Sequence, residues 1–479
     1  MYMVDSQVIQ QALDLKQKIQ AGDAEKITKQ HAEGKRSARE RVMNLLDPES
    51  FVETDALLSD AGVICGSGTV EGRPVYVFSQ DYTVHGGAMG KEMAKKVNKV
   101  IELARKTGCP VIAICDSAGV RADEGAAAMN AFASIYSKLV RLSGVCPVIS
   151  LIMGNAMGGA AMMVELSDIS ILVKGEGRVM VYGPTVVGSL TGENLTAEDV
   201  GGADEMSAEG GVSLIAENED DAMELCRRVL GYLPGSCMEY SEIIDTDDLN
   251  RKIAISDETD APELMRQISD AGEVTEIYSG YGPAIRTGLC RIGGRACGLF
   301  VSDSSVNDGM IDADSARKAA RLMRLCGAFD LPIVTMIDSK GVAVPEKGRQ
   351  AETIREVSDL LFAYSDAMSA KVCVITGRAI GQSYIALGGK DNADMIYAWP
   401  GSEISALSAE AAVQVLHREE LKAGDSRFEL EAAYRAEVSD GMNAAKFGLV
   451  DDVIDPKETR KYIINALEML DGKTEDGGL

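Results

Sequence analysis

A glycine-rich stretch in the first half of the chain has the residue types and spacing of a backbone oxyanion-binding turn. An apolar run, residues 145–153, is followed by small residues at 154–160 and then by a second short apolar run. We interpret the stretch as a buried strand, a tight turn and a helix, because glycine permits the conformations that a sharp turn requires. The first amides of a helix lack partners within the helix and carry the positive end of its dipole, so they can bind a developing oxyanion.

Two other interpretations of this stretch involve no catalysis. A glycine-rich turn between a buried strand and a buried helix is common, and a lone glycine motif is weak evidence for function. The apolar run is also long enough to resemble a membrane span. Its two adjacent glycines, Gly158 and Gly159, and its lack of basic flanks favour a buried strand and helix instead.

The charge, the cysteine spacing and the histidine content exclude several classes of function. A formal net charge of −26 argues against nucleic acid or an anionic membrane as the main partner, since both require a basic surface. The ten cysteines are scattered without a CxxC pair or a secretory leader, which indicates a reduced, cytoplasmic protein. With only three histidines, none near a second metal-type ligand, we expect no metal site and no Ser-His-Asp triad.

Beyond residue 45, short β-type runs alternate with helical stretches, which indicates an α/β architecture with parallel strand pairing. The β-type runs are residues 62–70, 75–78, 111–115 and 148–153, and the helical stretches include residues 91–106 and 126–141. Residues 1–45 have helical periodicity, with a basic break at residues 32–41 between two helices. We expect that basic cluster to be a solvated helix face.

The second half of the chain repeats the first. Residues 71–120 align without a gap onto residues 293–342 at a constant offset of 222 positions, with about 14 identities in roughly 50 pairs. Generic α/β patterning rarely keeps glycine, proline and aspartate in one register, so we infer a duplication. Extending the register by one residue aligns the glycine-rich stretch at 154–160 with residues 377–383.

Between the halves, residues 234–287 are acidic and less periodic, and we interpret them as a connector plus the first helix of the second half. The tail from residue 472 to residue 479 is expected to be disordered.

With these motifs in place, the chain resembles the carboxyltransferase subunits of biotin-dependent acyl-CoA carboxylases and decarboxylases. The motifs are specific when taken together and extend through nearly the whole chain. They are residues 37–41, 46–48, 50–53, 77–84, 116–121, 124–125, 154–160, 183–184, 397–400 and 451–456.

The resemblance implies an α/β fold of two tandem crotonase-like domains, residues 1–240 on the acyl-CoA side and residues 241–479 on the carboxybiotin side. It implies transfer of a carboxyl group between N1-carboxybiotin, carried on a separate protein or domain, and the α-carbon of a short acyl-CoA. The acyl-CoA would be propionyl- or methylmalonyl-CoA, or acetyl- or malonyl-CoA. Because the ureido group of biotin serves as proton acceptor, the protein would supply two oxyanion holes rather than acid–base side chains.

One of these holes would hold the thioester enolate and the other the ureido oxygen of biotin. The residues whose amides are implied are Gly158, Gly159 and Ala160 in the first half, and Gly381, Gln382 and Ser383 in the second.

The resemblance also implies residues that bind the substrates. They are Ser117, Ala118, Gly119, Arg121, Arg36 and Arg39 in the first half, and Lys340 and Ile385 in the second. Arg121 is a candidate for contact with CoA or with the transferred carboxylate, and a structural ion pair is the alternative. Arg36 and Arg39 are candidates to face the CoA phosphates. Ile385 stands where relatives that favour propionyl-CoA often have aspartate, which leaves the acyl selectivity open.

Cooperating sites in this family come from different protomers, which implies a ring-shaped hexamer. No Met-Lys-Met biotin acceptor occurs in the chain, so biotin must arrive on a biotin carrier protein. The other expected partner is either a soluble biotin carboxylase or the membrane-embedded subunit of a sodium-pumping decarboxylase.

The chain departs from the family pattern mainly in its second half. Gly381-Gln382-Ser383 replaces the usual Gly-Gly-Ala, and we expect the side chain of Gln382 to intrude on the carboxybiotin pocket. The usual glycine- and proline-rich loop of that half is replaced by residues 342–348. Ser117-Ala118-Gly119 is a milder departure from Ser-Gly-Gly.

Two alternative functions stay open. A biotin-independent crotonase-like hydratase or hydrolase is motivated by Gln382 and by Glu165, which could act as an acid–base carboxylate. Because Glu165 has no partner carboxylate, we favour packing or an ion pair as its role. A non-catalytic scaffold within a carboxylase complex is the other, and it requires a degraded second oxyanion hole.

Overall fold

The computed structural model describes residues 6–256 and 259–473. The chain divides into two compact units, residues 1–239 and residues 240–479. The expected disorder of the tail falls mostly outside the described residues. Within those residues, no helix is both long enough and apolar enough to cross a membrane.

The first unit combines ten α-helices with eight strands among its described residues. The helices are α1 (Ser6–Ala21), α2 (Ala24–Ala32), α3 (Ala38–Leu45), α4 (Lys91–Thr107), α5 (Ala126–Leu142), α6 (Gly159–Glu165), α7 (Pro184–Thr191), α8 (Ala197–Gly201), α9 (Ala203–Ala208) and α10 (Glu219–Tyr232). The strands are β1 (Val52–Glu53), β2 (Val63–Val70), β3 (Arg73–Gln80), β4 (Val111–Ser117), β5 (Val148–Met157), β6 (Ile169–Val173), β7 (Arg178–Met180) and β8 (Leu214–Ala216).

The strands of the first unit form one mixed sheet in the order β1-β2-β3-β4-β5-β6-β8, with β7 paired to β5. The β1, β2 and β3 neighbours are antiparallel, and the pairs from β3 onward are parallel. All residues of β4 and β6 are buried, as expected for parallel strands covered on both faces. The carboxyl ends of β4 and β5 therefore meet at one edge of the sheet.

The second unit contains nine α-helices and eight strands in its described part. The helices are α11 (Ala261–Ile268), α12 (Ala313–Ala328), α13 (Gln350–Asp366), α14 (Gln382–Leu387), α15 (Ala409–Leu416), α16 (Arg418–Ala423), α17 (Arg427–Tyr434), α18 (Gly441–Lys446) and α19 (Thr459–Met469). The strands are β9 (Val274–Glu276), β10 (Ile285–Ile292), β11 (Arg295–Ser302), β12 (Ile333–Ser339), β13 (Lys371–Ile380), β14 (Met395–Ala398), β15 (Glu403–Ser405) and β16 (Asp452–Val453).

The second sheet has the order β16-β14-β13-β12-β11-β10-β9, with β15 paired to β13, so it repeats the first sheet strand for strand. The repeat extends to single residues. An isolated parallel bridge joins Met89 to Val120 in the first unit and Ile311 to Val342 in the second, each pair displaced by 222 positions. The duplication inferred from the sequence is therefore present in the backbone itself.

Two expectations about local structure were wrong. The strand expected to end at residue 153 continues as β5 to Met157, because residues 155–157 pair with β7 and Ala156 also pairs with β4. The basic break expected at residues 32–41 is shorter, because Ser37 and Glu40 form a capping box that starts α3 at Ala38. Arg41, expected on a solvated helix face, is fully buried.

Candidate functional site

The first glycine turn is a single residue between a strand and a helix. Gly158 follows β5 with φ 60° and ψ −120°, a conformation accessible essentially only to glycine, and α6 begins at the next residue. The N–H of Gly158 donates to the Met180 carbonyl oxygen at 2.9 Å, so its role is conformational. The amides of Gly159 and Ala160 open α6 and have no acceptor within that helix, which makes them the available oxyanion donors.

The second unit repeats this turn. Gly381 has φ 56° and ψ −123°, and its N–H donates to the Ser405 carbonyl oxygen at 2.8 Å. The amides of Gln382 and Ser383 open α14 and correspond to those of Gly159 and Ala160. Each unit therefore presents two backbone donors in the same arrangement.

The side chains of the second turn point in different directions. Ser383 is buried, and its hydroxyl donates to the carbonyl oxygen of Ile380 at 2.9 Å and lies 3.3 Å from that of Ser339. Gln382 is exposed. Neither side chain is bonded to the two opening amides of α14, so both amides keep the form of a donor pair. The expected obstruction of a carboxybiotin pocket by Gln382 stays a prediction.

Packing explains why the first turn has glycine where the second has Gln382. A Cβ on Gly159 would lie 2.7 Å from two ring carbons of Phe132 and 2.7 Å from the Tyr136 hydroxyl oxygen. That hydroxyl donates to the Gly159 carbonyl oxygen at 2.8 Å. The rings of α5 thus exclude any side chain at this position.

The Ser117-Ala118-Gly119 loop lies beside the first turn. Ser117 pairs in register with Ala156, and its Oγ accepts the Gly119 N–H at 3.1 Å. Gly119 has φ 106°, and a Cβ there would lie 3.4 Å from the Met157 carbonyl oxygen. The structure therefore brings the predicted loop and the predicted turn together at the edge where β4 and β5 end.

The second unit has the same arrangement of loop and turn. The Gly341 N–H donates to Ser339 Oγ at 3.2 Å, and Gly341 has φ 116°. A Cβ on Gly341 would lie 3.3 Å from the Ile380 carbonyl oxygen. Lys340, between them, thus stands at the same position relative to its turn as Ala118 does in the first unit.

The charged candidates at these loops are engaged in ion pairs. Arg121 donates from Nε and Nη2 to Asp123 at 2.9 and 2.6 Å, and these hydrogen bonds lower the pKa of Asp123 to about 2. Lys340 lies 3.1 Å from Asp308, which Arg378 also contacts at 3.0 Å. Hydrogen bonds from Arg378 and Lys340 lower the pKa of the Asp308 carboxyl group.

The remaining candidate residues are two arginines in ion pairs, Arg36 and Arg39, and two exposed helix residues, Ile385 and Glu165. Arg36 contacts Asp220 at 2.9 Å, and Arg39 contacts Glu53 at 2.9 Å. Ile385 is exposed on α14, and Glu165 is exposed at the last residue of α6, more than a helical turn beyond the opening amides. Among the residues that the structure describes, no group of three or more His, Cys, Asp or Glu side chains is placed to hold a metal ion.

Sequence reasoning missed a buried arginine beneath the first turn. Arg41 donates to Asp116, which precedes the Ser117 loop, at 2.9 Å. The recurrence of Asp116 as Asp338 in the repeat was the available signal, because an aspartate kept in both copies directly before a functional loop requires a partner. Nothing in the local sequence indicated that the partner comes from α3.

Two mixed sheets, each ending in a glycine turn whose following helix opens with two backbone amides, define a duplicated α/β protein. The carboxyl transferase domain family matches residues 29–477. The methylmalonyl-CoA decarboxylase alpha subunit of Veillonella parvula is 38% identical and covers 96% of this chain and 95% of the relative. The propionyl-CoA carboxylase beta chain of Saccharopolyspora erythraea is 36% identical and covers 95% and 91%.

A solved structure of the transcarboxylase 12S hexamer assembly, with methylmalonyl-CoA and methylmalonic acid bound, superposes with a TM-score of 0.94. The identity to it is 34%, and the match covers 100% of this chain and 98% of that one. The chain therefore belongs to the carboxyl transferase family. The expected family, the fold of two α/β domains and the enzyme class are confirmed.

Proposed function

We propose that this enzyme transfers a carboxyl group between N1-carboxybiotin on a separate carrier and the α-carbon of a short acyl-CoA. The observation that carries the proposal is the pair of glycine turns, because a transfer between two substrates requires two oxyanion sites and the chain has two of the same backbone geometry. The relatives are named for reactions of propionyl-CoA or methylmalonyl-CoA, which favours a short acyl group.

In the first unit, the amides of Gly159 and Ala160 would donate to the thioester oxygen as it becomes an enolate. Each preorganised donor aimed at a developing oxyanion contributes about 10²–10³ in rate. The Ser117 loop lies beside the turn and would line the acyl-CoA site. Arg121 would contact CoA or the transferred carboxylate, and this requires its pair with the exposed Asp123 to open.

In the second unit, the amides of Gln382 and Ser383 would receive the ureido oxygen of biotin. Carboxybiotin, when bound, supplies the carboxyl group and the atom that accepts the α-proton. The chain's part is to bind and orient, which agrees with the open donor pair of α14 and with the inward-directed hydroxyl of Ser383. Lys340 would lie beside this site.

The assembly and partners follow by similarity. A structural relative is described as a hexamer assembly within a multienzyme core, and we propose a hexamer for this chain as well. A biotin carrier protein would be one partner, and a soluble biotin carboxylase or a membrane decarboxylase subunit the other. The location would be cytoplasmic.

The proposal is tested by incubating the protein with methylmalonyl-CoA or malonyl-CoA, with and without free biotin. Release of CO₂ only when biotin is present supports carboxyl transfer. Turnover independent of biotin would instead favour a crotonase-like hydratase or hydrolase. A folded hexamer without any activity would favour a scaffold.

Gly158→Ala and Gly381→Ala test the two turns separately. A Cβ on Gly158 meets only the Val181 carbonyl oxygen, at 3.9 Å, so the substitution strains the backbone without a clash. We expect kcat to fall about 10²–10³-fold in each variant as the donors move. Gly72→Ala is the control, since Gly72 also has a positive φ, 79°, and nothing within 4 Å of its Cβ. Gly72 lies in the hairpin before β3, at the end of the sheet opposite the glycine turn. Equal losses in Gly72→Ala and the turn variants would contradict the assignment.

Gly159→Val is a less specific test, because its side chain would collide with Phe132.

A further inference from the structure

A buried charge cluster lies beneath the first turn and its neighbouring loop. At its centre is Arg41 of α3, which is 0% exposed, as is expected of an arginine only when its charge is paired. Its Nη1 donates to Asp116 Oδ2 at 2.9 Å, its Nη2 to the Met153 carbonyl oxygen at 2.7 Å, and its Nε to Glu219 Oε1 at 2.8 Å. One guanidinium thus holds three separate segments of the unit.

Two of those segments carry the candidate site. Asp116 directly precedes Ser117, the first residue of the Ser117-Ala118-Gly119 loop. Met153 lies in β5, shortly before the Gly158 turn. The pairing of β4 with β5 is regular up to Cys115 and Ile152, shifts, and resumes at Ser117 and Ala156. Arg41 therefore spans the irregular part of the ladder, where backbone pairing alone does not fix the register.

The Asp116 side chain is packed closely against β5 at the point where the pairing of β4 with β5 is irregular. This side chain is 1% exposed, and a Cβ on Gly154 would lie 2.0 Å from its Oδ1. Because Gly154 has no side chain, the carboxylate lies directly against β5. A displacement of Asp116 would therefore also displace β5, the strand that precedes the Gly158 turn.

The second unit keeps the carboxylate but supplies its counter-charge differently. Asp338 corresponds to Asp116, and it accepts from the backbone N–H and the Nε of Arg378, both at 2.9 Å. Arg378 belongs to β13, the strand that carries the second turn, and its side chain is 24% exposed. Asp338 is thus paired by an arginine of the neighbouring strand, whereas Asp116 depends on Arg41, 75 positions before it, with Lys35 as a second cation at 3.8 Å.

We propose that Arg41 is a positioning residue that couples the N-terminal helix α3 to the first oxyanion turn. It holds β4 and β5 in the register that aims the amides of Gly159 and Ala160 at the acyl-CoA oxygen. The inference rests on the proposed function for its catalytic consequence. Its structural consequence, an ordered turn, stands independently of that function.

Arg41→Lys tests the coupling, because lysine keeps the charge but cannot form the three-way planar contact. We expect kcat to fall about 10²-fold, the effect of a displacement of roughly 1 Å at a reacting centre. The KM for acyl-CoA should change little, since Arg41 does not contact substrate. Hydrogen–deuterium exchange should accelerate in the peptide covering residues 154–166.

Arg460→Lys is the matched control. Arg460 is also 0% exposed, and its three nitrogens donate to the carbonyl oxygens of Ile268 and Asp248 and to the Asp270 carboxylate. Asp270 in turn accepts the N–H groups of Gly293 and Gly294 in the β10–β11 hairpin, so Arg460 supports a glycine turn that is neither of the two candidate oxyanion turns. The control variant should lose thermal stability to a similar degree while its kcat and the exchange of residues 154–166 stay unchanged.

Two results would overturn the proposal: unchanged exchange at residues 154–166 in Arg41→Lys, or a kcat loss no larger than that of Arg460→Lys. If Arg41→Lys does not fold, Asp116→Asn replaces it, with Asp270→Asn as its control and the same readouts. A wild-type protein without biotin-dependent activity would refute the proposed function alone, because the exchange measurement still tests the coupling.

Discussion

Replacing Gly154 with alanine is expected to destabilise its unit more than the equivalent replacement of Gly377 destabilises the other. The new Cβ would lie 2.0 Å from Asp116 Oδ1 and 2.1 Å from its Cγ, whereas a Cβ on Gly377 would lie 2.5 and 2.6 Å from the same atoms of Asp338. The Asp116 side chain is 1% exposed, but that of Asp338 is 25% exposed and can move toward solvent. Both substitutions therefore force an aspartate carboxylate to move, but only the Asp116 carboxylate is fully buried and has no path to solvent.

Overpacking of this kind costs about 1–3 kcal/mol, and we place Gly154→Ala at the upper end. Alanine also restricts the unfolded chain, which returns about 0.4–1 kcal/mol. The net loss of about 2 kcal/mol corresponds to a melting temperature lower by about 4–8 °C for a unit of this size. For Gly377→Ala the two effects nearly cancel, and we expect a net loss of at most about 1 kcal/mol.

Urea unfolding followed by hydrogen–deuterium exchange measures these losses, because peptides from each unit report separately. Gly231→Ala is the control, since Gly231 lies within α10, nothing lies within 4 Å of its Cβ, and alanine there should stabilise the helix by up to about 1 kcal/mol. Equal losses for Gly154→Ala and Gly377→Ala would refute the reasoning, as would a Gly154→Ala variant as stable as Gly231→Ala.

Three further predictions concern other parts of the chain. Burial raises the pKa of Asp168 from 3.8 to about 6, so the folded protein holds this proton more tightly than the unfolded chain, and stability falls as the pH rises from about 4 to about 6. Asp168→Asn should therefore stabilise the protein by about 1–2 kcal/mol at pH 7 and not at pH 4, as measured by melting at both pH values. Gln382→Ala should keep kcat within about threefold of wild type in the biotin-dependent assay, because the backbone amide is the donor. Asp123→Ala should lower the KM for acyl-CoA severalfold, because it releases Arg121, and an unchanged or raised KM would show that the pair is structural.

The duplication was the part of the fold best predicted from sequence, because glycine, proline and aspartate mark backbone positions that a side-chain change would disrupt. It located the second turn from the first, and the same register held in the structure from β2 to the end of β4. The strand end at Met157 was not predictable, because small residues such as Gly154 indicate a turn when read alone. Here they continue the strand by pairing with β7, and Gly154 is glycine because Asp116 occupies the space that its side chain would take.

Long-range charge contacts were the part that sequence reasoning could not supply. Lys96 and Lys318 occupy equivalent positions on α4 and α12, and helical periodicity gives no reason to bury a lysine. Both are 1% exposed, with Nζ donating to the carbonyl oxygens of Val63 at 3.0 Å and of Tyr281 at 2.6 Å. Desolvation by burial lowers the pKa of Lys318 to about 8. Such positions are set by which carbonyl groups the tertiary fold leaves without a partner, and local patterns do not encode that.

The two copies of the candidate site share an aspartate but differ in the cation that pairs with it. Burying a carboxylate costs free energy that its ion pair only partly returns, yet both units keep an aspartate directly before the serine loop and an unsubstituted glycine beside it. The counter-charge, by contrast, comes from Arg41 of α3 and from Lys35 before that helix in one unit, and from the turn-bearing strand in the other. The cation that pairs with the aspartate differs between the two units, whereas the aspartate is present in both. This indicates that the aspartate carboxylate itself holds the loop against the turn. Helix α3 thus holds the aspartate of the first unit, whereas the second unit holds its aspartate with an arginine of its own sheet.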